Sequence, residues 1–126
     1  MAHHDVKILS FNVRGLNNRT KRVALFKYVK RNECDILFLQ ESYSCIDDEA
    51  MWLQEWEGKG VFAHGTKHSK GIAILFKKHL DYDIITTKID TKGRFILLKI
   101  KIKDIEFVLI NIYAPNRENE RLLFLN

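Results

Sequence analysis

Three sets of polar side chains stand at the ends of apolar runs: Asn12 after VKILSF, Glu41 after DILFLQ, and Asn111, Tyr113 and Asn116 within LINIYAPN. A carboxylate and an amide oxygen converging at one end of a sheet form a hard-oxygen site. Such a site suits Mg²⁺, which takes one or two carboxylates and keeps waters and phosphate oxygens as its other ligands. Asn12, Gln40 and Glu41 are placed for that chemistry if the first two runs lie side by side. Asn111, Tyr113 and Asn116 alternate toward a loop pinned by Pro115. That spacing presents a phenol and two amides to the same sheet end, where they can hydrogen-bond phosphate oxygens. Plainer readings stand beside these, with Glu41 as the first solvated residue of a loop and Tyr113 as an aromatic side chain closing the core.

The elements that must position these groups follow from periodicity. Residues 6–13 place Val6, Ile8 and Ser10 on one side and Lys7, Leu9, Phe11 and Val13 on the other, the pattern of a strand buried mostly on both faces. Arg14-Gly15-Leu16-Asn17-Asn18 breaks it. Residues 20–33 carry Val23, Phe26 and Val29 at helical offsets, and 35–41 form a second strand. Strand, helix, strand in this order is a βαβ-like unit that can pair its strands in one sheet. Asp47 and Asp48 stand where an N-cap would, predicting a short helix that puts Trp52 and Trp56 in the core. A turn and short strand over 58–65 lead into strands at 71–77, 83–89, 95–103 and 105–113. Asp90-Thr91-Lys92-Gly93 and Lys103-Asp104 are the hairpin turns. Residues 116–126 look like the first turns of a helix, with Glu118 and Glu120 near its start where the dipole favours them.

A chain of 126 residues that is 46% hydrophobic fits one globular domain or part of one. The formal charge of +5 is compatible with a polyphosphate partner. Arg19, Lys21, Arg22, Lys27, Lys30 and Arg31 are either the solvated face of the first helix or a stripe that contacts DNA. Cys34 and Cys45 have neither metal-ligand nor disulfide-framework spacing and are expected to be reduced, buried or half-buried thiols. His64 and His68 flank Gly65 in a loop, which lacks the geometry of a helical zinc pair. No stretch approaches the roughly 20 apolar residues of a membrane span, and the N-terminus lacks an apolar signal segment. An intracellular protein with no membrane partner is expected.

The ordered set SFNVRGLNN, a basic amphipathic helix, DILFLQES, KGIAILF and LINIYAPN resembles the endonuclease/exonuclease/phosphatase family. It is most similar to the apurinic-endonuclease-like domain of LINE-type (non-LTR) retrotransposons. The resemblance implies an α/β fold, the N-terminal half of a four-layer α/β/β/α sandwich of the DNase I-like kind. It also implies a Mg²⁺ or Mn²⁺ site at one sheet edge, hydrolysis of phosphoric ester bonds, a DNA partner, and a nuclear location if chromosomal DNA is the target. Carried over residue by residue, it makes Glu41 the metal ligand, sets Asn12 in the metal site beside the attacking water, brings Tyr113 to the scissile phosphate and Asn116 to the nucleic-acid backbone. Arg14 departs from the repair enzymes, which have an acidic residue there. A cation cannot ligate a metal but can bind phosphate, and the departure favours the retrotransposon branch.

The family's later motifs, a GDFN-like segment and a terminal Asp-His pair, have no counterpart after Tyr113. Residues 1–126 are therefore expected to be the family's domain truncated on its C-terminal side, and negligibly active alone. Either a C-terminal half or a second copy is an expected partner. Two alternatives stand: a non-catalytic retrotransposon remnant or nucleic-acid-binding half-domain, and, third, a phosphatase of the same family. A half-sandwich is expected to leave much of its inner sheet face and a strand edge to solvent.

Overall fold

The structure, a computed structural model, describes residues 5–114. Its elements are β1 (Ile8–Asn12), α1 (Arg19–Arg31), β2 (Ile36–Gln40), a 3₁₀ turn (Ile46–Asp48), α2 (Glu49–Trp56), β3 (Gly58–Ala63), β4 (Ile72–Lys77), β5 (Asp83–Ile89), β6 (Phe95–Ile102) and β7 (Ile105–Ile112). They form a four-stranded sheet ordered β1-β2-β4-β3 and a three-stranded sheet ordered β5-β6-β7. As expected of a βαβ unit, β1 and β2 are parallel, and their register sets Asn12 opposite Gln40. Asn18 starts α1 by accepting a hydrogen bond from the Lys21 amide, and the helix packs Phe26 and Val29 inward.

The sheet's two faces bury different cores because side chains alternate along each strand. Leu37, Leu39, Ala73 and Leu75 face the helices, where they meet Phe26, Val29, Trp52 and Trp56. Ile36, Ile72, Ile74 and Phe76 face the second sheet and pack on Ile96, Leu98, Ile100 and Leu109. The layers are therefore helices, sheet and sheet, with two faces left bare where the sequence pattern indicated burial.

The first bare face belongs to β1. Only Leu9 and Phe11 pack against the helix-side core, while Ile8, Ser10 and Asn12 are exposed. The strand is therefore not covered on both sides, because the three-stranded sheet stops short of this edge. The second is the outer face of the three-stranded sheet. There Phe95 pairs with Ile112, Leu97 with Ile110 and Lys99 with Val108, and all of these but the half-buried Leu97 and Lys99 are exposed. Exposure thus falls on that outer face, whereas the inner faces of β2 and β4, expected to be open, are covered by the second sheet. Among the described residues, β7 pairs only with β6, so its apolar face adjoins an open edge. Such a combination promotes association. At tens of micromolar the 126-residue chain is expected to sediment as associated species, and Ile110→Lys to shift it toward monomer. A wild-type chain that sediments as one monomer would overturn this expectation.

Candidate active site

The sequence-predicted groups gather at the C-terminal ends of β1 and β2. Beyond the paired strands the chains stay side by side: the amides of Val13, Gly15 and Leu16 donate to the carbonyls of Gln40, Glu41 and Ser42. On the far flank, the Ser42 and Tyr43 amides donate to the carbonyls of Gly71 and Lys70. Residues 41–43 are thus clamped between two neighbouring segments. The clamp is needed because the turn departs from the backbone's preferences. Glu41 and Tyr43 have φ of 53° and 56°, and Arg14 and Lys70 beside them have 48° and 61°. A non-glycine residue in this left-handed region costs about 1–2 kcal/mol, and such strain concentrates at functional sites. Gly15, at φ 93°, lets the Tyr43 ring lie against its Cα, where a Cβ would come within 2.5 Å of that ring.

Within this frame Asn12 donates its side-chain amide to Glu41 Oε2, and its Oδ1 accepts the Arg14 backbone amide at 3.2 Å. The Tyr43 hydroxyl lies 3.5 Å from Glu41 Oε1. Glu41 is 8% exposed, and among the described residues no cationic side chain pairs with it. A nearly buried carboxylate without a counter-charge is costly, and a divalent cation would relieve that cost. The donor set fits a Mg²⁺-type ion, which asks for one or two carboxylates and keeps its waters. It does not fit a zinc-type cage, since no three His, Cys, Asp or Glu side chains converge among the described residues.

A cleft of about 490 Å³ opens between β1 and the end of β7, lined by Ser10, Asn12, Gln40, Asn111 and Tyr113 among others. Asn12 belongs both to this cleft and to the Glu41 pair. Tyr113 is half-buried, packs against the inter-sheet core and lines the cleft, so the two sequence readings of it describe one side chain. Arg14 has an exposed side chain beside Asn12. Asn116 lies outside the described residues.

Asn111 differs from expectation. It is 1% exposed, donates to the carbonyls of Leu39 (3.0 Å) and Ala73 (2.9 Å), and accepts from Gln40 Nε2 at 2.8 Å. Its amide therefore joins the two sheets, with both N–H donors used inside the protein and the side chain buried. The Gln40 side-chain NH2 is used in the same way, donating also to Ser10 Oγ at 3.0 Å. The even alternation of Asn111 and Tyr113 was legible, but that the Asn111 amide is spent between the sheets depends on how far the sheets overlap.

Arg22 is a second correction. Though it was assigned to the solvated or DNA-facing stripe, its side chain is 2% exposed. It donates to Glu55 through Nε (2.5 Å) and Nη2 (3.0 Å), and Nη1 donates to the Leu16 carbonyl at 2.9 Å. The guanidinium lies 5.2 Å from the centre of the Trp52 ring. Arg22 thus fastens the 13–18 segment behind Asn12 to α2. The other five cations of the stripe are exposed. Sequence reasoning also missed Tyr43, Ser42, Ser44 and His64. For Ser42, Tyr43 and Ser44 the available signal was proximity to Glu41 along QESYS, and His64, one residue past the end of β3, carried none.

The sequence pattern of the Endonuclease/Exonuclease/phosphatase family matches residues 9–125. A Xenopus laevis protein, the "Transposon TX1 uncharacterized 149 kDa protein", is 27% identical over 119 residues, covering 94% of this chain and 9% of that protein. Exodeoxyribonuclease III of Haemophilus influenzae is 29% identical over 119 residues, covering 90% of this chain and 43% of the enzyme. The chain therefore spans less than half the length of either relative. Among solved structures, an AP endonuclease from Archaeoglobus fulgidus superposes with a TM-score of 0.69 at 25% identity, covering 96% of this chain and 48% of that one. TDP2 from Caenorhabditis elegans superposes at 0.68 with 22% identity, covering 93% and 37%, a likeness of fold.

Proposed function

The chain belongs to the endonuclease/exonuclease/phosphatase family, and from that premise we propose that it is part of a Mg²⁺-dependent phosphodiester hydrolase acting on DNA, of the apurinic endonuclease/exonuclease III type and of retrotransposon origin. The observation that carries this reading is the nearly buried Glu41 carboxylate, hydrogen-bonded by Asn12, which lines a cleft together with Tyr113. The likeness to exodeoxyribonuclease III and the AP endonuclease supports DNA over other phosphoric esters. The likeness to the TX1 transposon protein supports the origin.

In this reading Glu41 holds the divalent cation, with Mn²⁺ as a substitute for Mg²⁺. When bound, the cation supplies charge against a phosphoryl oxygen. Asn12 orients the Glu41 carboxylate through its amide and borders the position of the attacking water. The Tyr113 phenol hydrogen-bonds the scissile phosphate, and the exposed Arg14 guanidinium neutralises a neighbouring one. Asn116 is assigned to the nucleic-acid backbone. Asn111, in contrast, acts at a distance by holding Gln40 and the two sheets in register.

One role stays unfilled: among the described residues no group is placed to deprotonate water. Losing acid–base assistance alone costs about 10²–10⁴ in rate. The chain by itself is therefore expected to bind Mn²⁺ and DNA but to leave a supercoiled plasmid and an abasic duplex uncut in Mg²⁺. A second copy or a C-terminal half carrying GDFN-like and Asp-His motifs would complete the site. The test measures Mn²⁺ binding by electron paramagnetic resonance together with cleavage of both substrates, using the wild type and Glu41→Ala. Binding by the wild type that is lost in Glu41→Ala supports the assignment. A wild type that fails to bind Mn²⁺, or a mutant that binds equally, removes Glu41 as the ligand. Cleavage that depends on Glu41 would show that the missing groups are supplied.

A further inference from the structure

Behind Glu41 runs a continuous line of polar side chains that the proposed reaction does not use. Ser42 Oγ lies 2.9 Å from Ser44 Oγ, which lies 3.0 Å from His64 Nδ1, and His64 Nε2 lies 3.1 Å from Glu49 Oε1. Both serines are fully buried, while His64 and Glu49 are partly exposed. The Ser-His-Glu order resembles a nucleophilic triad, yet a serine with no exposed surface cannot meet a substrate. The line must act on the protein itself.

Its inner end abuts the strained turn. Ser42 follows Glu41, and Ser42 Oγ also receives the Ser44 backbone amide at 3.4 Å. Ser42 Oγ sits where Gly71, at φ 86°, leaves room: a Cβ there would come within 2.5 Å of it. Its outer end is anchored in two elements, since His64 stacks on Phe62 of β3 with centroids 5.1 Å apart and Glu49 opens α2. With Nε2–H donating to the Glu49 carboxylate, Nδ1 accepts the Ser44 hydroxyl, and Ser44 Oγ in turn accepts the Ser42 hydroxyl. Each buried hydroxyl then has both a donor role and an acceptor role filled, which is the condition under which a buried polar network rigidifies its surroundings.

We propose that Glu49, His64, Ser44 and Ser42 form a positioning relay that holds the left-handed turn bearing Glu41, so that His64 and Ser44 are positioning residues for the Glu41 carboxylate. The proposal rests on the reading of Glu41 as cation ligand for its functional consequence, but not for its structural one. Residues that orient a ligand from behind commonly contribute about 10–100-fold to metal affinity.

The experiment compares wild type, His64→Phe, His64→Asn and Ser44→Ala in the 126-residue chain, reading amide hydrogen exchange at residues 41–44 and Mn²⁺ affinity. His64→Phe keeps the stacking on Phe62 but removes both ring nitrogens, whereas His64→Asn loses the stack and keeps a polar group near Ser44. The relay requires faster exchange at residues 41–44 and about tenfold weaker Mn²⁺ binding in His64→Phe and in Ser44→Ala. It also requires partial recovery in His64→Asn, and no further loss when Ser44→Ala is added to His64→Phe. A His64→Phe protein that retains wild-type exchange at the turn, or one that outperforms His64→Asn, makes His64 a packing residue and overturns the proposal. Should the wild type bind no Mn²⁺, the cation reading falls separately, and exchange at the turn decides the relay alone. The small Ser44→Ala change keeps the test open if a His64 variant fails to fold.

Discussion

Replacing Arg22 by alanine is expected to destabilise the protein by about 3–5 kcal/mol, the usual cost of removing one member of a buried ion pair. The guanidinium is almost fully buried and makes a two-point contact with Glu55, so the variant would leave the Leu16 carbonyl without its donor and the Glu55 carboxylate with only the exposed Arg19, 3.3 Å away. It would also uncover the Trp52 face on which the guanidinium lies. Urea unfolding followed by circular dichroism is the appropriate measurement, because fluorescence would report the loss of the cation over Trp52 directly. A loss under about 1 kcal/mol, the scale of an exposed pair, would show that the pair is not held as described. Arg22→Met combined with Glu55→Met should recover part of the loss, since an apolar pair needs no compensation.

The same pair sets an acid limit. The hydrogen bond from Arg22 holds the Glu55 carboxyl below the usual carboxylate range, with the charges of Arg22 and Arg19 adding to it and burial opposing. A depressed folded-state pKa contributes stability that is present above the unfolded value, about 4.3 for glutamate. That stability disappears as the pH falls through the folded value. The gap between wild type and Arg22→Ala should therefore be full at neutral pH and narrow below about pH 4.

Asn111→Asp is expected to cost about 3–5 kcal/mol at neutral pH, although it changes a single group and almost no volume. The amide of Asn111 donates to two carbonyl oxygens, those of Leu39 and Ala73, at a site with 1% exposure. A carboxylate there has no hydrogen to give and would face both oxygens with negative charge. Burial and those oxygens raise its folded-state pKa above the unfolded value of about 3.9. The penalty is thus complete above the raised folded value and diminishes as the pH falls toward the unfolded one. Denaturation of wild type and variant between neutral and acid pH tests both the size and the sign. A variant as stable as the wild type at neutral pH, or one whose deficit grows in acid, would remove Asn111 as the joint between the sheets.

These two residues mark where the sequence ceased to be informative. Both were assigned by type and local spacing, Arg22 to a cationic helix stripe and Asn111 to the alternation that carries Tyr113 to the cleft. Helical and strand periodicity state which residues share a face. They do not state what the neighbouring element offers to that face. Arg22 became internal because α2 brings Glu55 to it, and Asn111 because β7 lies over the carbonyls of β2 and β4.

By itself, the sequence determined the order of the elements within residues 5–114, the helix expected over 116–126 lying outside the described residues, together with the parallel pairing of β1 with β2, the family, and the meeting of Asn12 with Glu41. All of these depend on local patterning, or on two strands joined by a short crossover that leaves one geometry open. The tertiary structure alone decided that Glu41 sits on a left-handed turn, that Ser44, His64 and Glu49 stand behind it, and that the apolar outer face of β6 and β7 is bare. These depend on contacts between residues far apart in the chain, which are selected by packing of whole layers and leave no trace in local periodicity.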